Sequence, residues 1–205
     1  MTHSLHRQGS LESLKKDYVM YARCSRGFNM ATAEPQVKRI VEIVFDEGPN
    51  NSGASTERAN MANGTWTRER ALASQKDTHG FICCFDDREK MKRVLKRLKE
   101  EDLGISIVVS GLIDEVMGMA KELGLKPHTI NLSLGIRGKK ELLPGPEVME
   151  FTTMCGHALV ASSLVEKALA DVREGKKTMA EAARMVGEPC TCGIVNLARA
   201  EELLA

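Results

Sequence analysis

Between Gly80 and Ile136 the chain alternates apolar runs of strand length with stretches of helical spacing, and that alternation constrains its fold more than any other feature. Gly80–Phe85 (GFICCF) is a continuous apolar run. From Asp86 to Glu101, Met91, Val94, Leu95 and Leu98 recur at the three- and four-residue intervals that make one apolar stripe on a helix. Gly104–Val109 (GISIVV) predicts a second buried strand, Leu112–Leu123 a second helix ended by Gly124, and Thr129–Ile136 (TINLSLGI) a third strand. Strands that alternate with helices at this spacing predict right-handed crossovers. The fold class expected is therefore α/β, with a small, mainly parallel sheet flanked by helices.

Upstream, Tyr18–Cys24 (YVMYARC) is rich in β-formers and predicts a strand. Glu34-Pro35 opens a helix to about Asp46, with Pro at the first turn and Val37, Ile40, Val41 and Val44 on one face. Residues 47–65 are Gly, Pro, Asn, Ser and Thr with almost nothing apolar, which predicts a flexible polar loop. The adjacent Cys83 and Cys84 point to opposite faces of their strand.

From residue 147 the composition turns helix-rich. A helix is expected from about Gly156 to Glu174, followed by Gly175 and the basic pair Lys176-Lys177. Thr178 and Glu181 have capping-box spacing and start a return helix, which Gly187 and Pro189 stop, and Asn196 caps a last one. The expected organisation is an α/β core over 1–146, followed by a helical, cysteine-bearing hairpin over 147–205.

That hairpin carries Cys155-Gly156-His157 before its first helix and Cys190-Thr191-Cys192-Gly193 after its second. The outgoing helix advances ~26 Å and the return helix recovers ~12 Å at 1.5 Å per residue. The extended Gly187-Glu188-Pro189 adds roughly 10 Å. Cys190 thus returns close to the level of Cys155. The predicted metal ligands are Cys155, His157, Cys190 and Cys192. Three thiolates suit a [4Fe–4S] cluster with one iron open to substrate or to His157, and the same four residues suit zinc. Placed at a helix start, Cys155 would have its thiolate favoured by the helix dipole. A metal-free reading keeps the cysteines as buried core, and a redox reading pairs Cys190 with Cys192.

Elsewhere, Ser110-Gly111 ends a strand and enters a helix, a place where amides can hold an anion or carboxylate, and is the candidate binding site for a small-molecule ligand. His3 and His6 have helical ligand spacing, although on a polar arm; His79 and His128 sit at strand entries and read as structural. Asp86 and Asp87 are expected to cap the helix that follows. The basic residues on that helix, Arg88 to Lys99, read as a solvated face.

A net charge of +1 and eight aromatic residues in 205 argue against nucleic acid as a partner. There is no apolar run long enough for a membrane span. The first 20 residues lack the apolar core of a signal peptide, so a cytoplasmic location and reduced cysteines are expected. Together these features predict a metal-binding, iron–sulfur protein, with an enzyme acting on a small molecule as one form of it. The alternative is a non-enzymatic binding or assembly module whose tail is stapled by zinc or carries free thiols. Homo-oligomers are compatible with either.

Overall fold

The computed structural model describes residues 6–75 and 80–205. His3 and His79 lie outside them. Element order is α1 (Leu11–Leu14), β1 (Tyr18–Arg23), α2 (Glu34–Asp46), β2 (Asn51–Ala54), β3 (Ala59–Asn60), α3 (Arg68–Ala73), β4 (Gly80–Phe85), α4 (Arg88–Glu101), β5 (Ser106–Ser110) and α5 (Ile113–Glu122). The helices α6 (Pro146–Thr152), α7 (Ser162–Arg173), α8 (Met179–Gly187) and α9 (Leu197–Leu203) follow.

The strands form one five-stranded sheet in the order β3-β2-β4-β1-β5. Every neighbouring pair is antiparallel, so the expectation of a mainly parallel sheet is overturned. The reason lies in adjacency. β4 and β5 do run in the same direction across α4, but β1 is inserted between them and opposes both. β1 and β2 likewise run together across α2 with β4 between them. Two split β-α-β units thus interleave. Local spacing predicts each crossover, whereas the inserted strand comes from far away in sequence. Residues 129–136, expected as a third strand of that parallel sheet, carry no regular secondary structure.

The sheet has a helical layer on each face. On one, Met20, Ala22, Cys83 and Phe85 pack with Val37, Ile40, Val41 and Val44 of α2 and with Met91, Val94 and Leu95 of α4. On the other, Val19 and Cys84 pack with Phe151, Val165, Ala182, Ala183, Val186 and Ile194 from the C-terminal helices. Cys83 and Cys84 therefore enter opposite layers, as alternation requires. Each apolar stripe faces the sheet, and burying a side chain of this size contributes about 1.5–3 kcal/mol.

The polar stretch 47–65, expected to be a flexible loop, carries β2 and β3 and buries Asn51, Ser52 and Asn60. Its polarity serves hydrogen bonds inward: the Ser52 hydroxyl donates to the Ile82 carbonyl at 2.8 Å, and Trp66 Nε1 donates to Ser52 Oγ at 3.2 Å. The predicted caps form. Asp87 Oδ1 accepts from the Lys90 amide, and Thr178 and Glu181 close a reciprocal capping box at the start of α8. Among the described residues no helix is long and apolar enough to cross a membrane.

Candidate functional site

The two cysteine motifs meet on the sheet face covered by the C-terminal helices. Cys155, Cys190 and Cys192 are all buried, in one apolar cluster with Cys84. Cys190 Sγ lies 3.8 Å from Cys192 Sγ, and Cys192 Sγ lies 3.6 Å from His157 Nδ1. Cys155 interacts with Cys190 side chain to side chain. The four side chains thus make a row of neighbours, Cys155–Cys190–Cys192–His157, with the imidazole at the exposed end. Among the described residues, no group of three or more His, Cys, Asp and Glu side chains stands as a ready-made ion-binding set.

The row is built by turns. Helix α6 ends at Thr152 and α7 begins only at Ser162, so Cys155 follows a helix C-terminus instead of opening a helix. The Cys155 amide donates to Thr152 O, and Ala158, in the left-handed region at φ 54°, donates back to Cys155 O. That position removes the helix-dipole argument for a Cys155 thiolate. Its thiol is pushed up instead, by its hydrogen bond with Cys190 and then by burial. Cys190 interacts favourably with Cys155 as a thiolate, but Cys192 and burial oppose this, and its thiol sits at about 11. The Cys192 thiol is drawn down by its hydrogen bond with Cys190, against the penalty of burial. Of the three, the sulfur beside the imidazole is the one most easily ionised.

The second motif rests on the polar strands. The Asn60 side-chain amide donates to Glu188 O at 3.0 Å and to Cys190 O at 3.1 Å, and the Asn51 amide donates to Val195 O at 2.8 Å. Cys84 Sγ approaches Gly193 O at 3.9 Å and Val195 O at 3.7 Å from β4. A Cβ at Gly53 would lie 2.6 Å from Ala59 O and 2.9 Å from Asn60 Cβ on β3, and 3.0 Å from Thr191 O, so glycine lets β2 pack closely against both β3 and the loop. Both strands therefore act as the platform for Cys190 and Cys192.

Beneath the row lies a buried charge cluster. Arg7 is paired with Asp17 and donates to Met154 O and Ile194 O, one carbonyl from each cysteine-bearing segment. Its charge acts on the thiols of Cys84 and Cys190. Arg199, 1% exposed, donates to Asp17 Oδ2 at 2.9 Å, Ser13 Oγ at 2.8 Å and Gln8 O at 2.6 Å. Asn196 Nδ2 donates to Lys16 O at 2.7 Å and to Asp17 Oδ1 at 3.2 Å. Two guanidiniums thus meet at one buried carboxylate, and Arg199 pairs with Glu150 as well, at 3.5 Å.

Sequence reading identifies the row and misses its support. Cys84, Arg7, Asn51, Asn60 and Gly53 come from remote segments with no motif, and the one available signal is the unusual density of Asn and Gly in 50–64. The other candidates lie apart from the row. Ser110 is buried at the end of β5, opposite Val19, and Gly111 packs on the Tyr18 ring, where a Cβ would lie 3.1 Å from it. His6 contacts Ser133 and His128 contacts Thr129. The basic residues of α4 are largely engaged in surface ion pairs, including Arg88 with Glu115 and Glu122, and Arg93 with Glu47. No family model, no curated protein and no solved structure matches the chain.

Proposed function

We propose that the chain is a thiolate metal protein in which Cys155, Cys190, Cys192 and His157 hold a single zinc-class ion. The observation that carries this reading is the spacing of the row. Zinc binds thiolate at about 2.3 Å and imidazole at about 2.0–2.1 Å, so tetrahedral angles set neighbouring donors about 3.5–3.8 Å apart. The sulfur pair at 3.8 Å and the sulfur–nitrogen pair at 3.6 Å have those lengths. An ion would draw the ends of the row, Cys155 and His157, inward around it. A cluster distributes its thiolates over separate irons, so sulfurs this close favour one ion over the iron–sulfur alternative.

Four protein ligands leave no open position on the ion, which is the pattern of a structural site. Its work would be to fasten the α6–α7 turn to the loop after α8. The Arg7 guanidinium, although paired with Asp17, interacts favourably with a thiolate at Cys190. No residue is assigned a catalytic role. The 3.8 Å Cys190–Cys192 approach supports a second reading, a metal-free dithiol that closes on oxidation.

Metal analysis and an absorption spectrum of anaerobically purified protein separate the readings. One zinc per chain, colourless, supports the proposal, and its loss in Cys190→Ser and Cys192→Ser assigns the ligands. Brown protein containing iron and sulfide overturns it in favour of a cluster. Metal-free protein that loses two titratable thiols on mild oxidation overturns it in favour of the dithiol.

A further inference from the structure

Among the described residues, the two loops that carry the row, 152–160 and 187–195, share no backbone–backbone hydrogen bond. Each closes on itself: Cys155 N bonds Thr152 O in the first, and Gly193 N bonds Cys190 O in the second. Arg7 joins them from outside. Its Nη2 donates to Met154 O at 3.1 Å, directly before Cys155, and to Ile194 O, two residues after Cys192. One nitrogen therefore bridges both loops, while Nη1 is held by Asp17. The side chain is 7% exposed, and its Nε has no hydrogen-bond partner among the described residues. Burying a guanidinium with a donor unpaired costs stability, and here that cost falls at a point where both loops are gripped.

The residues held by Arg7 also serve the sulfurs. The Ile194 amide is directed at the sulfurs of Cys190 and Cys192, and the His157 and Leu159 amides at that of Cys155. A grip on Ile194 O and Met154 O thus fixes a residue that donates to two thiols and the start of the turn that holds the third. Arg7 in turn belongs to an arm, residues 7–17, docked on the C-terminal helices. Gln8 N donates to Thr153 Oγ1 at 2.9 Å, and Arg199 donates to Gln8 O at 2.6 Å and to Ser13 Oγ at 2.8 Å. Gly9, at φ +146°, passes where a Cβ would strike Arg199 Nη2 and Glu150 Oε2.

From these contacts we infer that Arg7 is a positioning residue of the ion site and couples docking of the arm to retention of the ion. The inference rests on the zinc reading. With the arm docked, the two loops stand in register before an ion arrives, Cys155 toward Cys190 and Cys192 toward His157. With the arm lifted, the ion must order them itself. Hydrogen bonds that orient ligands in this way are typically worth about 10–100-fold in metal affinity. The coupling is reciprocal: an ion that binds the docked form more tightly holds the arm down by the same factor.

The test compares the full chain with Arg7→Met. Competition with a chromophoric zinc chelator gives affinity, the absorption bands of the cobalt(II)-loaded protein give ligand geometry, and hydrogen exchange at the Gln8 amide gives arm docking. Arg7→Met should keep one zinc per chain, bind it about 10–100-fold more weakly and show shifted cobalt bands at saturation. In the parent, zinc should slow exchange at Gln8 by a comparable factor, and in Arg7→Met by far less. Zinc affinity within about twofold of the parent overturns the inference. So does a weaker site whose saturated cobalt spectrum is unchanged, which leaves Arg7 a structural role only. Should Arg7→Met fail to fold, the parent decides. Exchange at Gln8 slowed by zinc yet still faster than at β4 supports the coupling; exchange unaffected by zinc, or slowed only in step with β4, overturns it. A parent that takes up neither zinc nor cobalt is a separate result: it overturns the zinc reading, and the inference falls with it.

Discussion

Gly193 lies backbone to backbone on Ser52: a Cβ at Gly193 would stand 2.2 Å from the Ser52 carbonyl carbon and 2.5 Å from Gly53 N. Gly193 also has φ +67°, in the left-handed region. Gly175 shares that backbone angle, at φ +69°, but nothing stands within 4 Å of its Cβ position. Gly175→Ala should therefore cost only the conformational penalty, about 1 kcal/mol. Gly193→Ala should cost that plus a forced shift of the loop, more than about 2 kcal/mol. It should also move Cys192 off His157. Urea unfolding of both variants and zinc content of Gly193→Ala check the pair.

On the proposed zinc reading, chelation should loosen the C-terminal helices and leave the sheet folded. At free zinc about 100-fold above its dissociation constant, binding adds about 2.7 kcal/mol. For a chain of this size that is roughly 5–10 °C in Tm. Chelation should lower Tm by that amount in the parent, reversibly on adding zinc. It should have no effect in Cys190→Ser, whose Tm should already match that of the chelated parent. Differential scanning calorimetry with and without chelator measures both.

Asp17 is the single carboxylate that both Arg7 and Arg199 contact, and it is buried with them. Removing one member of such a group leaves a charge uncompensated in the interior and typically costs about 3–5 kcal/mol. Asp17→Asn is expected in that range. Arg199→Met should cost less than this when combined with Asp17→Asn than it does alone, because the second change relieves the first. A double-mutant cycle by urea denaturation should give a coupling of at least about 1 kcal/mol.

The helices were legible because their signals are local. The α2 and α4 stripes, the Asp87 cap and the Thr178/Glu181 box are complete within one or two turns, and the structure has each of them. The direction of the sheet was not legible, since it turns on β1 entering between β4 and β5 from sixty residues away. Cys155, His157, Cys190 and Cys192 could be linked because a helical hairpin returns the chain toward its start. The lengths differ, however: α7 is shorter than the helix expected over 156–174, and Gly187 and Glu188 are helical where an extended stretch was expected. Their setting could not. Whether Cys155 begins a helix or trails one depends on a turn from 153 to 161 that contains no Pro and only one Gly. Polarity in 47–65 reads as solvent exposure in one dimension. In three it is Asn51, Ser52 and Asn60 bonding inward to the site loop and the neighbouring strand.

Tyr18 is fully buried, and among the described residues its hydroxyl has no hydrogen-bond partner. Burial, with Glu115 adding to it, pushes its ionisation up to about 12 from the ordinary 10.0. Between those values the unfolded chain has released the phenol proton and the folded chain retains it. The folded state then binds more protons, so stability falls as pH rises through this window, by up to about 1.4 kcal/mol per pH unit. Below pH 10 both states hold the proton and the group contributes no slope. Tyr18→Phe removes an unpaired buried hydroxyl, so at pH 8 it should be neutral or stabilising by up to about 1 kcal/mol. Between pH 10 and 12 the parent should lose up to about 2.7 kcal/mol more stability than the variant, a difference that cancels the ionisation of other groups. Urea midpoints of the two proteins across that range test the assignment, and parallel pH profiles would show that the Tyr18 hydroxyl reaches water in the folded state.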